Sequence, residues 1–100
     1  VKGGMKAIND TLETMNKSGA RVSAIIIEDL YGNLATAKGM LCRWDWRLNS
    51  ELYPNLADKI AGLKRKGIRV FGYINHCLDI DSRLYPEASG LGFMVKNEAG

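Results

Sequence analysis

The chain has 100 residues, of which 46% are hydrophobic, and it carries a formal net charge of +3. A chain of this size and composition can bury one hydrophobic core, so we expect a folded segment and not a disordered one. Lysine and arginine are dispersed along the sequence, whereas phosphate binding needs basic side chains gathered on one face. The longest apolar run, Ala24–Ile27, is far too short to cross a membrane. We therefore expect neither nucleic acid nor a membrane as a partner.

The sequence predicts no metal site and no cofactor. Cys42 and Cys77 fit neither a paired metal-binding spacing nor a dense disulfide framework, and we expect both to be buried or half-buried thiols. Asp79 and Asp81 resemble a calcium loop only faintly, because the glycine and the final glutamate of that motif are missing. A solvated turn is expected there instead.

The first half of the chain predicts a helix followed by a buried strand. Apolar residues fall three or four positions apart between Met5 and Ser18, which places them on one helix face, and Gly19 is expected to end the helix. The β-branched run Val22–Ile27 is apolar at successive positions, which is typical of a strand covered on both faces. The 26 residues from 28 to 53 show no clear periodicity, and so long a connection is usually functional or mobile. The predicted helix face comprises Met5, Ile8, Leu12 and Met15.

The second half repeats this order. Pro54 is expected to open a second helix that ends at Gly67, and Ile68–Ile74 is typical of a second strand. Leu84–Ser89 predicts a short third helix, and Phe93–Val95 predicts a brief final strand. The buried stripe of the second helix is predicted to be Leu56, Ile60 and Leu63.

The two halves also match in local sequence. Lys17–Val22 and Arg65–Val70 share a basic start, a central glycine and a β-branched end, 48 positions apart (67 minus 19). A helix, a glycine and a strand that recur in this way form the unit of a parallel sheet. Right-handed crossovers bring the carboxyl ends of parallel strands to one rim, where such folds bind ligands. We predict an α/β fold; a small, self-contained doubly wound domain is a weaker alternative, because the glycine-rich phosphate motif is absent.

The motifs along the chain resemble those of glycoside hydrolase family 31, the retaining α-glycosidases built on a (β/α)8 barrel. Their shared order and spacing extend over nearly all of the sequence. The matching segments are the pair Gly3–Gly4, the strand end Ile27–Gly32, the W-x-W element Trp44–Trp46 leading to Tyr53–Leu56, the strand Gly67–Asn75 (similar to G-x-[RK]-V-x-x-[YW]-I-N-P), Leu84–Ala88 and Gly92–Asn97.

This resemblance implies that residues 1–100 are a single segment of a catalytic (β/α)8 TIM barrel, because a whole barrel needs about 250 residues. The chain begins at Val1 without an initiator methionine, and we expect a piece of a longer protein. The resemblance implies that the parent protein hydrolyses α-glycosidic bonds of a carbohydrate substrate. The family's nucleophile and acid/base are aspartates on later strands, so we expect no catalytic residue in this chain and no activity from the segment alone.

Within the family, the chain is most similar to the sulfoquinovosidase-type branch, whose motifs read Q-D-W-x-G and R-x-x-W. Glu28 stands in place of the glutamine, Leu30 in place of the tryptophan and Leu41 in place of the arginine, whereas Trp44 is retained. The arginine helps to hold a sulfonate in that branch, and a glutamate repels an anionic head group, so these changes favour neutral sugars. Together with His76 in the place of a proline, they leave an alternative: a non-catalytic carbohydrate-binding or pseudoenzyme barrel.

The resemblance puts substrate-binding residues at the strand ends. Glu28 and Asp29 are neighbours on a strand and point to opposite faces. We predict that one accepts a hydrogen bond from a sugar hydroxyl and the other supports it, without deciding which; a solvated acidic pair is the alternative. Trp44 is predicted to stack on a sugar or wall the pocket, or else to anchor the loop in the core. Asn75 is predicted to fix the loop backbone at the rim, with direct sugar contact as the alternative.

The remaining rim residues are given smaller roles. Trp46 is expected to pack, His76 to be structural or exposed, and Tyr31 and Tyr73 are lower-ranked pocket candidates. Strands cut from a closed barrel have unpaired edges and exposed apolar faces. We therefore expect the 100-residue chain to self-associate.

Overall fold

The computed structural model describes all residues, Val1–Gly100, as three helices and four short strands. In chain order they are α1 (Gly4–Lys17), β1 (Ala24–Ile27), β2 (Asn33–Thr36), β3 (Gly39–Cys42), α2 (Leu56–Arg65), β4 (Arg69–Gly72) and α3 (Tyr85–Gly90). β1 and β4 form a parallel pair, with Ile25 opposite Val70 and Ile27 opposite Gly72. The predicted α/β class with parallel strands is thus confirmed, and both strands end at the same side of the molecule.

The two long helices end with the same hydrogen-bond pattern. After α1 the amide of Ala20 donates to the carbonyl of Met15 at 3.0 Å, and after α2 the amide of Ile68 donates to the carbonyl of Leu63 at 3.0 Å. The residue before each donor is a glycine with positive φ, and each glycine amide also bonds back to the helix. These paired bonds form a Schellman motif. The sequence echo therefore marks one helix-to-strand connection used twice.

Gly67 provides a direct test of this connection. Its φ is +78°, a left-handed conformation, although a Cβ atom there would meet no neighbouring atom. We expect Gly67→Ala to lower the free energy of unfolding by about 1 kcal/mol, because a side chain disfavours that conformation. The control Gly62→Ala lies inside α2 and is expected to raise it by about 0.5–1 kcal/mol. Urea denaturation measures both values, and a change of the same sign in the two variants would contradict this account.

The hydrophobic core lies between the parallel strand pair and the two long helices. Its members come from α1, β1, α2 and the loop that precedes α2. They are Ile8, Ile25, Ile27, Tyr53, Leu56 and Leu63. The predicted helix faces are confirmed in part, because Met15 of α1 and Ile60 of α2 are 41% and 37% exposed.

The strand pair is covered on one face only. Ile25 and Ile27 point into the core, whereas Ile26 between them is 53% exposed. Phe71 of β4 lies opposite Ile26 and is 51% exposed. The prediction that Val22–Ile27 is covered on both faces is therefore wrong for this chain, because α1 and α2 cover only the side of Ile25 and Ile27.

Three other segments differ from the sequence prediction. The long connection after β1 contains the antiparallel β2–β3 hairpin, whose strands bury no side chain fully and therefore show no alternation of apolar and polar residues. Phe93–Val95 forms no strand, and Val95 is fully exposed. The prediction that Pro54 opens the second helix is also wrong, because α2 begins at Leu56 and Pro54 lies just before the N-cap, Asn55.

The surface of the chain gives two further results. Cys42 is half-buried as predicted, but Cys77 is exposed, because it lies on the surface loop after β4. None of the helices combines the length and the apolar character that a transmembrane span requires.

Candidate functional site

The loops that follow β1 and β4 form one rim. The amide of Tyr73 donates to the carbonyl of Ile27 at 2.9 Å, so the two loops are joined where they leave the sheet. The rim carries Glu28 and Asp29 on the first loop and Asn75 on the second. The common strand-end rim expected from parallel pairing is therefore confirmed.

Asp29 lies on the core side of the rim and is fully buried, with 0% exposure. Its Oδ2 atom accepts hydrogen bonds from the amide of Gly3 at 2.8 Å and from Nδ2 of Asn33 at 2.9 Å. Its Oδ1 atom accepts one from the hydroxyl of Tyr53, and that hydroxyl in turn accepts one from the amide of Gly4 at 3.3 Å. The carboxylate thus has donors on both oxygens and lies at the N-terminus of α1, where the helix dipole favours negative charge.

The surroundings of this pair fix its protonation. Burial raises the pKa of Asp29, but the hydrogen bonds from Tyr53, Asn33 and Gly3 outweigh burial and hold the pKa below its usual value. Burial, the hydrogen bond to Asp29 and the charge of its carboxylate all raise the pKa of Tyr53. Asp29 is therefore ionised and Tyr53 neutral across the physiological pH range, which suits a structural pair and not a proton-transfer pair.

Glu28 points to the opposite face. The alternation of β1 continues past its end, so Glu28 lies on the exposed side with Ile26, and Asp29 on the buried side with Ile27. The Glu28 side chain is 54% exposed. Of the two adjacent carboxylates, Glu28 is the one that a ligand at the rim can reach.

Trp44 stands between the two strand-end loops. Its ring centroid is 5.6 Å from that of Tyr73, in an edge-to-face arrangement, and 6.3 Å from that of Tyr31. The indole is only half-buried, so part of it is available for contact. Each loop thus contributes a tyrosine that supports Trp44, and the three aromatic side chains form a wall along the rim.

Trp46 and Asn75 connect the hairpin loop to the loop after β4. The indole Nε1 of Trp46 donates to the backbone carbonyl of Asn75 at 2.9 Å, while the Trp46 ring is 41% exposed. Trp46 was expected to pack; here it holds a loop carbonyl at the surface. The Asn75 side chain makes no hydrogen bond, so the prediction that it fixes the loop backbone is wrong, and the residue is held only through its carbonyl. A shallow, open groove of about 700 Å³ lies beside it, with His76 exposed on its edge.

The acidic turn after β4 is attached to the same rim. Asp79 Oδ2 accepts a hydrogen bond from the amide of Trp44 at 2.8 Å, and the Asp79 amide donates to the Trp44 carbonyl at 2.9 Å. Asp81 pairs with Arg43 at 3.2 Å, and Asp45 lies 3.7 Å from the same guanidinium. The expectation of a purely solvated turn is therefore wrong for Asp79, because its side chain and backbone fix Trp44. No cluster of three or more His, Cys, Asp or Glu side chains is arranged to hold a metal ion.

Sequence reasoning missed the role of Tyr53. It entered only as the tyrosine of the Y-P element, yet it is the largest fully buried side chain and the partner of Asp29. A tyrosine directly before Pro54, where helix and loop meet, was the available signal. The Gly3–Gly4 pair also has a local explanation: a Cβ atom on Gly4 would lie 2.8 Å from the carbonyl oxygen of Leu52, so this approach requires glycine.

Two known proteins with similar sequences are both sulfoquinovosidases. Over 89 residues the chain is 38% identical to a sulfoquinovosidase from Agrobacterium fabrum (strain C58 / ATCC 33970), covering 89% of this chain and 13% of that protein. Over 100 residues it is 32% identical to a sulfoquinovosidase from Escherichia coli (strain K12), covering 100% of this chain and 15% of that protein. The chain thus spans 13–15% of the length of these relatives. No protein-family model matches the chain.

A solved structure agrees with the sequence matches. A GH31 family sulfoquinovosidase from E. rectale, in complex with the aza-sugar inhibitor IFGSQ, superposes on the whole chain with a TM-score of 0.87. The two are 32% identical, and the match covers 15% of the solved chain. Sequence and structure agree along the full length and confirm the resemblance carried by the motifs: the chain belongs to glycoside hydrolase family 31, of whose members it represents a partial region.

Proposed function

We propose that the protein containing this chain is a retaining α-glycosidase, and that residues 1–100 supply part of its substrate-binding rim. The observation that carries the proposal is the parallel pairing of β1 and β4, which brings the loops after both strands to one side. An exposed carboxylate, an aromatic wall and an open groove lie along that rim. Such a combination suits a sugar, whose hydroxyls donate hydrogen bonds and whose ring faces stack on aromatic side chains.

We propose that the segment is part of a closed (β/α)8 barrel. Its order of helix, strand, helix and strand is the repeating unit of that fold. The exposed face with Ile26 and Phe71 supports the proposal, because the inward side chains of barrel strands pack against one another in layers. On this account the exposed face belongs to the barrel interior, and α1 and α2 belong to the outer ring.

Within the rim, Glu28 is proposed as the acceptor of a sugar hydroxyl and Asp29 as its buried support. Trp44 walls the subsite, and Asn75, held by Trp46 through its backbone carbonyl, borders the groove. Retaining hydrolysis requires two carboxyl groups about 5 Å apart across the scissile bond. Glu28 and Asp29 face opposite sides of the strand, so they do not form such a pair. The catalytic carboxylates are accordingly proposed to lie on later strands of the same protein.

The proposed substrate is a neutral α-glycoside and not a sulfonated one, although the similar proteins are named sulfoquinovosidases. Glu28 adds negative charge to the rim, and Leu41, where that branch carries an arginine, is an exposed apolar residue. Arg43 does not supply the missing cation, because it is already paired with Asp45 and Asp81. Comparing kcat/KM for an aryl α-glucoside with that for an aryl α-sulfoquinovoside tests this assignment; a preference for the sulfonated sugar would overturn it.

The activity is tested with the full-length protein and with the 100-residue chain in parallel. We expect the full-length protein to cleave aryl α-glycosides with retention, as seen by NMR of the first product, and the chain alone to show no turnover. Turnover by the chain alone would contradict the placement of the catalytic residues elsewhere. Sugar binding without cleavage by the full-length protein would support a non-catalytic carbohydrate-binding barrel, and the absence of both would refute the proposal.

We also propose that the isolated 100-residue chain self-associates through the face that carries Ile26 and Phe71. Both are exposed apolar side chains on strands with free edges. Sedimentation velocity is expected to show species larger than a monomer that grow with concentration. The double variant Ile26→Lys/Phe71→Lys is expected to shift the distribution toward monomer, while the control Met15→Lys on α1 leaves it unchanged. A monodisperse wild-type monomer would contradict this expectation.

A further inference from the structure

Asp29 makes more hydrogen bonds than it would need only to support Glu28. Its carboxylate receives hydrogen bonds from three segments: the start of α1 and the loop before α2, which are 26 and 24 residues away in sequence, and the start of β2, four residues away. We propose that Asp29, acting through Tyr53 and Asn33, is a positioning residue that holds the β2–β3 hairpin and Trp44 in place relative to the end of β1. The inference rests on the proposed sugar-binding function, which it extends to a residue that no substrate can reach.

The path from Asp29 to Trp44 is short and continuous. Asp29 binds Nδ2 of Asn33, which is the first residue of β2 and lies opposite Cys42, the last residue of β3. The next amide, that of Arg43, donates to the carbonyl of Gly32 at 2.9 Å. Trp44 follows directly. The side chain of Asp29 therefore helps to orient the hairpin base from which Trp44 leaves, while the two hydrogen bonds with Asp79 hold Trp44 from the other loop.

A second path holds the loop before α2 against the same point. The amide of Tyr53 donates to the carbonyl of Asn49 at 2.9 Å, and the amide of Asn49 donates to the carbonyl of Leu30 at 3.0 Å. Tyr53 thus approaches Asp29 through its hydroxyl and approaches the turn after Asp29 through its backbone. The turn that separates Glu28 from Tyr31 is fixed from both sides.

The charge of the Asp29 carboxylate indicates that Asp29 positions its neighbours and does not only fill space in the core. An apolar side chain could fill the same volume, whereas a buried carboxylate is unfavourable unless every oxygen is satisfied. Three donors meet that condition only when the three segments lie in one relative arrangement. In other arrangements of the hairpin, the buried carboxylate of Asp29 would lose hydrogen-bond donors. The carboxylate therefore stabilises one arrangement of the hairpin relative to β1.

The test uses the full-length protein with Asp29→Asn and Asp29→Ala. Asparagine keeps the shape and one oxygen for Gly3 and Asn33 but presents its NH2 group to Tyr53, so it is the milder change; alanine removes all three bonds. With an aryl α-glycoside we expect Asp29→Ala to raise KM about tenfold or more while kcat changes less than about twofold. Asp29→Asn is expected to fall between wild type and Asp29→Ala.

The control is Leu63→Ala, a core truncation in α2 at a residue that makes no hydrogen bond to any of these groups. It is expected to lower Tm while leaving KM unchanged, whereas a solely structural role for Asp29 would make the two alanine variants alike in both Tm and KM. That likeness would overturn the proposal.

A readout independent of activity separates this inference from the proposed function. In 5-fluorotryptophan-labelled protein, the 19F resonance of Trp44 is assigned by its absence in Trp44→Phe. We expect Asp29→Ala to shift or broaden that resonance and Leu63→Ala to leave it in place. If the wild-type protein neither binds nor cleaves any α-glycoside but the resonance responds in this way, the proposed function fails and the positioning role stands. A resonance unchanged by Asp29→Ala would overturn the positioning role whatever the activity.

Discussion

Tyr53→Ala is expected to lower the free energy of unfolding by about 3–5 kcal/mol, the range for truncating a large buried aromatic side chain. Tyr53 has 0% exposure and contacts the core from the loop before α2. The variant removes packing volume and also deprives Asp29 and the amide of Gly4 of their shared hydroxyl. Because whole domains are stable by only about 5–15 kcal/mol, the loss is large enough to populate unfolded protein. Equilibrium urea unfolding, followed by far-UV circular dichroism, measures it.

Tyr53→Phe is the matched control, because it removes the hydroxyl and keeps the ring. We expect a loss of about 1–3 kcal/mol, since the buried Asp29 loses a donor. The raised pKa of Tyr53 gives this variant a pH signature. The contribution of the Tyr53 hydroxyl to stability is complete below its pKa in the unfolded chain, near 10. That contribution is lost as the pH rises through the higher pKa of the folded protein. Tyr53→Phe should therefore lose less stability than wild type above pH 10, and an equal decline in both would contradict the assignment.

Glu28→Ala in the full-length protein is expected to lower kcat/KM for an aryl α-glycoside about 10- to 100-fold. A hydrogen bond between a sugar hydroxyl and a carboxylate contributes about 1.5–3 kcal/mol, which corresponds to this range. The side chain is 54% exposed and makes no contact with the core, so the variant should unfold at nearly the wild-type temperature. Steady-state kinetics together with a thermal melt separate loss of binding from loss of fold.

The control for Glu28 is Glu13→Ala. Glu13 is another exposed glutamate, but it lies on α1 and pairs with Lys17, away from the rim. It is expected to leave kcat/KM within about twofold of wild type. Glu28→Gln adds information on charge, because it keeps an acceptor oxygen and removes the negative charge. If Glu28→Ala retained full activity on every α-glycoside tested, Glu28 would not be a substrate-binding residue.

The sequence predicted those parts of the fold that have strong local signals. Apolar spacing located α1 and α2, and the glycine after each helix predicted where it ends, because the Schellman motif requires a specific conformation at that position. The repeat around Gly19 and Gly67 predicted the parallel pairing. These signals are local, so one sequence is sufficient to identify them.

The sequence predictions that the structure does not confirm failed for a common physical reason. The β2–β3 hairpin buries no residue fully, so its sequence carries no alternation to detect. Phe93–Val95 is rich in strand-forming residues, but a strand needs a partner, and none lies beside it. The exposure of Ile26 likewise depends on which other elements cover the sheet. Pattern alone does not reveal an element that depends on distant partners.

The sequence predicted where the candidate site residues lie, but not what each residue does. Spacing and family resemblance brought Glu28, Asp29, Trp44 and Asn75 to one rim, and their positions in the structure agree. The sequence did not predict which of Glu28 and Asp29 is exposed and which is buried, because the hydrogen-bond partners of Asp29 are residues 3, 33 and 53. Their substrate contacts stay predictions.

The β2–β3 hairpin pairs with no other strand and is tied to the rest of the chain near its base. Its tip, residues 37–38, is a two-residue turn with exposed side chains. Substitutions, insertions or deletions at that tip therefore alter a surface beside the rim without shifting the register of β1 against β4. The hairpin can therefore vary in length and charge while the parallel pair and the core behind it stay the same.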